Sequence, residues 1–189
     1  MFTKLKGVKR MKEIRLHGRG GQGVVKASQI VVRAAVAGGK NGQFIPFFGV
    51  ERKGSPVFGY LRISEEPIRR KMQVYEPEIL VIMDDSLVGL PATYAGLKAG
   101  GIVVINSTKT AEELGVPAAT GEVAIVNATG IAEELIGRNI PNTSMLGAFA
   151  KASGLVDKEV LFAEIEKAFG AVNRQAAERA YVETVVTKR

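Results

Sequence analysis

The chain of 189 residues contains no cysteine, and its only histidine is His17. Without cysteine, the chain cannot form a disulfide, use a thiolate nucleophile or hold an iron–sulfur cluster through thiolates. A single histidine likewise excludes a zinc site built from several imidazoles. If the protein takes part in electron transfer, the clusters must therefore lie on another polypeptide.

Long apolar segments are also missing. The longest apolar runs, residues 79–83 and 102–105, are far shorter than the roughly 20 residues that a helix needs to cross a bilayer. No basic leader followed by an apolar segment is found, so we expect a cytoplasmic protein. The length fits one domain, which we expect over residues 11–189 after a disordered basic extension of residues 1–10.

Acidic residues are scarce in the first part of the chain. The net charge of +7 divides into +4 for residues 1–10, +8 for residues 11–73 and −5 for residues 74–189. The basic part is predicted to face an anion, which leaves a phosphate-bearing ligand, an acidic partner or nucleic acid as candidates. A nucleic-acid role has weak support, because the basic part lacks a recognisable motif with interleaved aromatic residues.

The order of elements is read from periodicity and from helix breakers. Strands are predicted at residues 12–17, 43–47, 57–63, 79–83, 102–106 and 123–127. Helices are predicted at residues 24–37, 90–98, from 131, 143–153, 157–169 and from 173, with Asp157 as an N-cap. This alternation predicts a Rossmann-like α/β fold with three layers, in which helices cover both faces of a mostly parallel sheet.

A glycine-rich loop follows the first predicted strand. Gly18, Gly20 and Gly23 satisfy the pattern G-x-G-x-x-G between a strand and a helix. Residues without a side chain let backbone N–H groups approach a phosphate, and the helix N-terminus adds a favourable dipole. With Gly21 and Gln22, these glycines are candidate cofactor-binding residues. A tight turn with close helix–sheet packing explains the same pattern, and both interpretations remain open.

Two nucleotide-binding motifs were compared with this loop. A dinucleotide fold needs an acidic residue at the end of the second strand to hold the ribose, but residues 44–48 contain none, and Glu51 is followed at once by Arg52 and Lys53. A Walker motif fails as well, because the four-residue spacer and the Lys-Ser/Thr ending are missing. A free-standing NAD(P)-binding oxidoreductase with a Rossmann core therefore remains an alternative with weak support.

Arg52 and Lys53 lie between Gly49 and Gly54 and form a second candidate site. Arginine can bind a phosphate through two parallel hydrogen bonds, whereas lysine acts as a point charge. The loop is therefore predicted to contact a phosphate or a partner, with a solvated hairpin tip as the alternative.

Three further features have simpler interpretations. The basic run at residues 69–71 is predicted to be solvated surface, and the acidic pair at residues 84–85 to belong to a turn. Phe44, Phe47 and Phe48 are predicted to contribute to a surface that binds a partner chain, with an ordinary cluster at the end of the core as the alternative.

Five segments, taken together, resemble a known family. They read IRLHGRGGQGVVKASQIV, FFGVERKGSPVFGYLRIS, PEILVIMDDSLV, GGIVVINS and NIPNTSMLGAFAKASGL. In this order and spacing they resemble the γ subunit of pyruvate and related 2-oxoacid:ferredoxin oxidoreductases, over nearly the whole chain from about residue 12. The coupling of GRGGQG to ERKGSPV-x-x-x-LRIS carries the resemblance, and the form ERKGSPV resembles the pyruvate or branched-chain oxoacid branch.

The resemblance implies a non-redox subunit of an enzyme that oxidatively decarboxylates a 2-oxoacid, with coenzyme A as acyl acceptor and ferredoxin as electron acceptor. Thiamine diphosphate and the iron–sulfur clusters would lie on companion α, β and δ chains. By the same resemblance, this chain lies beside the coenzyme A channel, and Arg52 or Lys53 contacts the coenzyme A phosphates. No catalytic residue or metal ligand is expected here, so the isolated chain is expected to be inactive.

Overall fold

The computed structural model describes residues 11–47 and 54–189. The expectations for residues 1–10, Phe48, Arg52 and Lys53 lie outside these residues. The described strands are β1 (Lys12–Arg19), β2 (Asn41–Phe47), β3 (Pro56–Ser64), β4 (Ile79–Ile82), β5 (Ile102–Asn106), β6 (Glu122–Val126) and β7 (Val185–Lys188). The described α-helices are α1 (Val24–Ala37), α2 (Ala128–Ile136), α3 (Asn142–Ser153), α4 (Lys158–Phe169) and α5 (Ala171–Glu183). None of the helices within these residues is long and apolar enough to cross a membrane.

The strands form one sheet in the order β2-β3-β1-β4-β5-β6-β7. The neighbours β1, β4, β5 and β6 are parallel, whereas β2, β3 and β7 pair antiparallel at the two sides. The predicted α/β fold is confirmed, and so is the pairing of the second and third strands. The sheet is mixed, however, because a direct hairpin between β2 and β3 can only pair antiparallel strands.

The two faces of the sheet are covered differently. Every α-helix contributes to the apolar core on one face, where Ile14, Val81 and Val104 meet helix residues such as Leu146 and Phe149. On the opposite face, the layer over β4, β5 and β6 is made of turns and two short 3₁₀ helices, Asp85–Leu87 and Pro91–Tyr94.

The sequence-based prediction failed for two elements. The predicted helix at residues 90–98 is only the 3₁₀ helix Pro91–Tyr94, because the backbone leaves the helical conformation at Ala95, whose ψ is 122°, and Gly96 adopts a φ of 74°. Strand β7 was not predicted. It is four residues long and mostly exposed at the sheet edge, so it carries little hydrophobic periodicity.

The face opposite the helices carries buried charge over β1 and β3. Arg62 is 1% exposed, and its Nε lies 2.7 Å from Glu13 Oε1. The same guanidinium donates to the carbonyl oxygens of Met72 (2.7 Å) and Gln73 (3.1 Å). A buried ion pair thus attaches the irregular segment before β4 to the sheet.

His17 lies further along β1 on this face. Its Nε2 accepts a hydrogen bond from Arg15 Nε at 2.8 Å, while Arg15 Nη2 donates to the carbonyls of Thr93 and Ala95. Burial, and after it the charge of Arg15, lowers the pKa of His17 to about 3. The imidazole is therefore neutral near pH 7 and serves the packing of this face.

Candidate anion-binding site

The carboxyl ends of β1, β4, β5 and β6 lie at one edge of the sheet, because these four strands are parallel. Residues 18–23, here named the glycine loop, comprise the last two residues of β1 and the turn that leads to α1 at this edge. Asp84 follows β4, Asn106 ends β5 and Asn127 follows β6, so polar side chains from three further strands surround the loop. In open α/β sheets this edge is where ligands bind.

Two glycines of the loop are required by packing. A Cβ at Gly18 would lie 2.6 Å from Cγ2 of Val24. Gly23 has a φ of 81°, and a Cβ there would lie 2.6 Å from Asn142 Nδ2 at the start of α3. At these positions the glycines therefore permit a close contact between the loop, α1 and α3. Close packing and contact with an anion are compatible in this loop.

Gln22 fastens the loop to the end of β4. Its Oε1 accepts a hydrogen bond from Arg19 N at 2.8 Å, and its Nε2 donates to Asp84 Oδ2 at 2.8 Å. Arg19 Nε lies 3.4 Å from Asp84 Oδ2, and Arg19 Nη2 donates to Ser86 Oγ at 2.7 Å. We name these four residues, Arg19, Gln22, Asp84 and Ser86, the latch.

Asp84 is the acceptor at the centre of the latch. Burial by itself would raise the pKa of Asp84, but hydrogen bonds from Ser86 and Gln22 and the charge of Arg19 outweigh burial and lower it. The carboxylate also accepts from Ser86 N at 3.1 Å and caps the following 3₁₀ helix. Asp84 thus has the turn role expected from the sequence and, in addition, a long-range role that the sequence does not reveal.

Two cavities of opposite character flank the loop. The first, here named the acidic cavity, measures about 330 Å³ and is lined by Gln22, Asp84 and Asp85 together with amide and hydroxyl side chains. The second, the basic cavity, measures about 510 Å³. Its lining residues are Gly21, Gly23, Lys26, Ile136, Arg138, Ile140, Asn142, Phe169 and Asn173. No carboxylate is among them.

The basic cavity combines two cations with a helix N-terminus. Lys26 lies in the first turn of α1 and Arg138 in the turn after α2, and both side chains are exposed. In the described part of the chain, neither side chain has an ion-pair partner. Helix α1 begins at Val24, and its N-cap residue Gly23 provides no side-chain cap, so the first N–H groups of the helix remain available to a ligand. The positive end of the helix dipole therefore adds to the two charges.

Asn142 joins this site from the start of α3. It is 6% exposed, and its Oδ1 accepts from Thr143 N at 2.8 Å, while its Nδ2 lies against Gly23 in the cavity wall. Within the described residues, this Nδ2 has no hydrogen-bond acceptor. The cavity thus offers an amide donor beside two cations, with Ile136, Ile140 and Phe169 forming an apolar wall. It suits a phosphate attached to a less polar group.

The structure separates the residues that the glycine pattern groups together. Gly21 and Gly23 line the basic cavity, whereas the side chain of Gln22 lines the acidic one. Gly18 packs against α1, and Gly20 N donates to the carbonyl of Ser55 at 2.9 Å. Lys26 and Arg138 were not predicted. Lys26 follows the pattern by three residues, but only the fold brings Arg138 to the same cavity.

Residues 11–47 and 54–189 place no free carboxylate where a dinucleotide fold holds its ribose. One neighbour of β1 in the sheet is β3, which also packs against α1. It runs antiparallel to β1, so the end of β1 lies beside the first residue of β3, Pro56, and not beside a strand end that could carry an acid. The other neighbour, β4, is followed by Asp84, but that carboxylate already accepts from Gln22 and Ser86. The geometry therefore gives no support to a ribose-binding acid.

Comparison with known proteins gives consistent matches. A family model described as pyruvate ferredoxin/flavodoxin oxidoreductase matches residues 13–183. The common γ subunit of the pyruvate/ketoisovalerate oxidoreductases of Thermococcus kodakarensis is 49% identical over 182 residues, covering 93% of this chain and 98% of that protein. The pyruvate synthase subunit PorC of Methanothermobacter marburgensis is 46% identical over 175 residues, covering 90% and 96%.

A solved structure matches as well. The crystal structure of the pyruvate oxidoreductase subunit PORC of Thermotoga maritima has a TM-score of 0.84 to this chain at 36% identity, and the match covers 95% of this chain and all of that one. The similarity thus extends to the whole fold as well as to the motifs.

Proposed function

Because the chain belongs to the pyruvate ferredoxin/flavodoxin oxidoreductase family, we propose that it is the non-redox γ subunit of an enzyme that oxidatively decarboxylates pyruvate or a branched-chain 2-oxoacid. The enzyme transfers the acyl group to coenzyme A and the electrons to ferredoxin. Thiamine diphosphate and the iron–sulfur clusters lie on companion α, β and δ chains in the cytoplasm. The absence of cysteine from this chain agrees with that division. The full-length matches to subunits argue against a free-standing NAD(P)-dependent enzyme.

Within the complex, the chain serves coenzyme A rather than the oxoacid. The related Thermococcus kodakarensis protein is named as a common subunit of pyruvate and ketoisovalerate oxidoreductases. A subunit shared by enzymes with different oxoacids is suited to the step that both enzymes have in common. Transfer of the acyl group to coenzyme A is such a step.

The basic cavity is the proposed binding site for coenzyme A phosphates. The observation that carries this proposal is the convergence of Lys26, Arg138 and the uncapped start of α1 on one cavity without a lining carboxylate. Charge-assisted hydrogen bonds to phosphate are stronger than neutral ones. The wall formed by Ile136, Ile140 and Phe169 accommodates a less polar part of the ligand.

The glycine loop and the second basic loop complete the site in this proposal. Gly21 and Gly23 present backbone to the basic cavity, and Gly18, Gly20 and Gln22 set the conformation of the loop. Arg52 and Lys53 supply further charge to the same phosphates. The support for Arg52 and Lys53 is their sequence pattern and the family resemblance.

The surface near β2 is proposed to contact a companion chain. Phe47 is 44% exposed, and its ring centroid lies 6.1 Å from that of Tyr60 and 6.2 Å from that of Phe58. Phe44 packs partly against the core. Aromatic residues are enriched in the surfaces that bind partner chains.

Reconstitution tests the proposed function. The purified chain alone is expected to show no iron–sulfur absorbance and no pyruvate-dependent reduction of a viologen dye. Adding it to the purified companion chains should restore dye reduction that depends on both oxoacid and coenzyme A. Activity of the chain alone, or full coenzyme A-dependent activity of the companions without it, would refute the proposal.

A further inference from the structure

Within the latch, Gln22 lies between the two cavities: its side chain lines the acidic cavity, and its neighbours in the chain line the basic cavity. Gln22 is the only non-glycine among residues 20–23, and both polar atoms of its side chain are used: Oε1 accepts from Arg19 N, and Nε2 donates to Asp84 Oδ2. Because the neighbours of Gln22 are Gly21 and Gly23, fixing its side chain also fixes the peptide groups that line the basic cavity.

Gly21 would otherwise leave the loop weakly determined. Gly21 has a φ of 99°, and no atom lies within 4 Å of the position that a Cβ would take there. Side-chain packing therefore does not restrain Gly21, and glycine has the largest backbone entropy of any residue. The side-chain hydrogen bonds of Gln22 therefore add to two backbone bonds that restrain this part of the loop, Gln22 N to Arg19 O at 3.1 Å and Gly20 N to Ser55 O at 2.9 Å.

The charge of Asp84 adds a second effect. An anion in the acidic cavity would meet the carboxylates of Asp84 and Asp85, which both line it. In the latch, the carboxylate of Asp84 contacts Gln22, Arg19 and Ser86 and thereby orders the loop. Its negative charge also disfavours a phosphate in the acidic cavity.

We propose that Gln22 and Asp84 are positioning residues for coenzyme A, which hold the glycine loop so that its peptide groups face the basic cavity. This inference rests on the proposed function, because it takes coenzyme A as the ligand. Neither side chain lines the basic cavity itself, so both act through the backbone of Gly21 and Gly23.

Exchanging donor and acceptor tests this inference in the reconstituted complex. Gln22→Glu places two carboxylates face to face, and Asp84→Asn places two amide groups at the same contact. The double variant Gln22→Glu/Asp84→Asn restores a donor opposite an acceptor, keeps the net charge of the wild type and leaves an oxygen for Ser86 N. A double-mutant cycle then isolates the contact between the two positions.

The expected result is a selective effect that the double variant reverses. Each single variant should raise the KM for coenzyme A, by about tenfold for Gln22→Glu and by less for Asp84→Asn, as expected for losing one contact to a charged group. The KM for the oxoacid and kcat at saturating coenzyme A should stay within about twofold, and the double variant should return close to the wild type. Additive losses in the double variant, or equal changes in both KM values, would overturn the proposal.

A second measurement distinguishes failure of the latch from failure of the proposed function. Hydrogen exchange of the amides of residues 20–26 in the full chain, without any coenzyme A, should be faster in each single variant and slow again in the double variant. Unchanged exchange in the single variants would refute the latch, whatever the ligand is. Faster exchange with an unchanged KM for coenzyme A would keep the latch and refute the coenzyme A site.

Discussion

The two sides of the glycine loop differ in charge, although the residues that face them, Gln22 on one side and Gly21 and Gly23 on the other, are neighbours in the chain. On one side, Lys26 and Arg138 face an uncapped helix start, and on the other side Asp84 and Asp85 face amides and hydroxyls. A glycine pattern at a strand–helix junction therefore does not by itself tell where an anion binds. The side chains that the fold brings to each side of the loop decide it.

Reversing the charge of the basic cavity should have the largest effect. The double variant Lys26→Glu/Arg138→Glu replaces two attractive contacts with repulsive ones, so the KM for coenzyme A should rise by at least about a hundredfold. The KM for the oxoacid should stay nearly unchanged in steady-state kinetics of the reconstituted complex. Arg33→Glu, on the exposed surface of the same helix, is the matched control for the single variant Lys26→Glu, because each changes the net charge by −2. If the control raises the KM as much, the effect comes from overall charge and not from the cavity.

Arg52→Ala extends the comparison to the second basic loop. Loss of one charge-assisted contact of roughly 1.5–3 kcal/mol should weaken coenzyme A about tenfold to a hundredfold. Arg52→Lys should recover only part of this loss, because lysine lacks the bidentate geometry. The assay is steady-state kinetics with each substrate varied in turn. Equal changes in the KM values for oxoacid and coenzyme A would show that the loop has a structural role. No change in either KM would show that it is a solvated tip.

Gly23→Ala tests the contact between the loop and α3. The new methyl would meet Asn142 at 2.6 Å, at a φ of 81° that alanine rarely adopts, so the free energy of unfolding should fall by roughly 1–3 kcal/mol. Gly21→Ala is the matched control, because its φ is also positive but no atom lies within 4 Å. Urea unfolding of the full chain measures both. Equal losses in the two variants would show that backbone strain, and not the contact with Asn142, makes glycine necessary at position 23.

Asp85→Asn should have the smallest effect. Asp85 lines the acidic cavity, where Ser107 Oγ donates to it at 3.3 Å, and no phosphate is expected there. The KM for coenzyme A should therefore change by less than about twofold, since removal of a distant, partly exposed charge contributes little. A large change in this KM, in either direction, would place coenzyme A on the acidic side and reverse the comparison.

Local features of the fold could be predicted well from the sequence. The bounds of α1 were predicted because the glycine loop precedes the helix and Gly38–Gly39 end it. Asp157 was predicted as an N-cap, and its carboxylate accepts from Glu159 N and Val160 N. These features depend on residues that are near in the sequence, so periodicity and capping rules are sufficient.

The site itself could be predicted only in part. The glycine loop was identified because its pattern is local. The hydrogen bond between Gln22 and Asp84, and the presence of Lys26 and Arg138 at one cavity, each bring together distant segments of the chain. Such pairs depend on the order of the strands, and the placement of β4 beside β1 cannot be read from periodicity. For the same reason, the sequence did not reveal that the α-helices of the described residues cover one face and not both, as predicted, or that the charges of Glu13 and Arg62 are buried over the other face.

The structure of the reconstituted complex with coenzyme A bound is the most direct test of the central claim. We expect at least one phosphate group of coenzyme A within hydrogen-bond distance of Lys26 Nζ or the Arg138 guanidinium, with the peptide groups of Gly21 and Gly23 beside it. Coenzyme A bound in the acidic cavity, or bound with no contact to this chain, would contradict the claim.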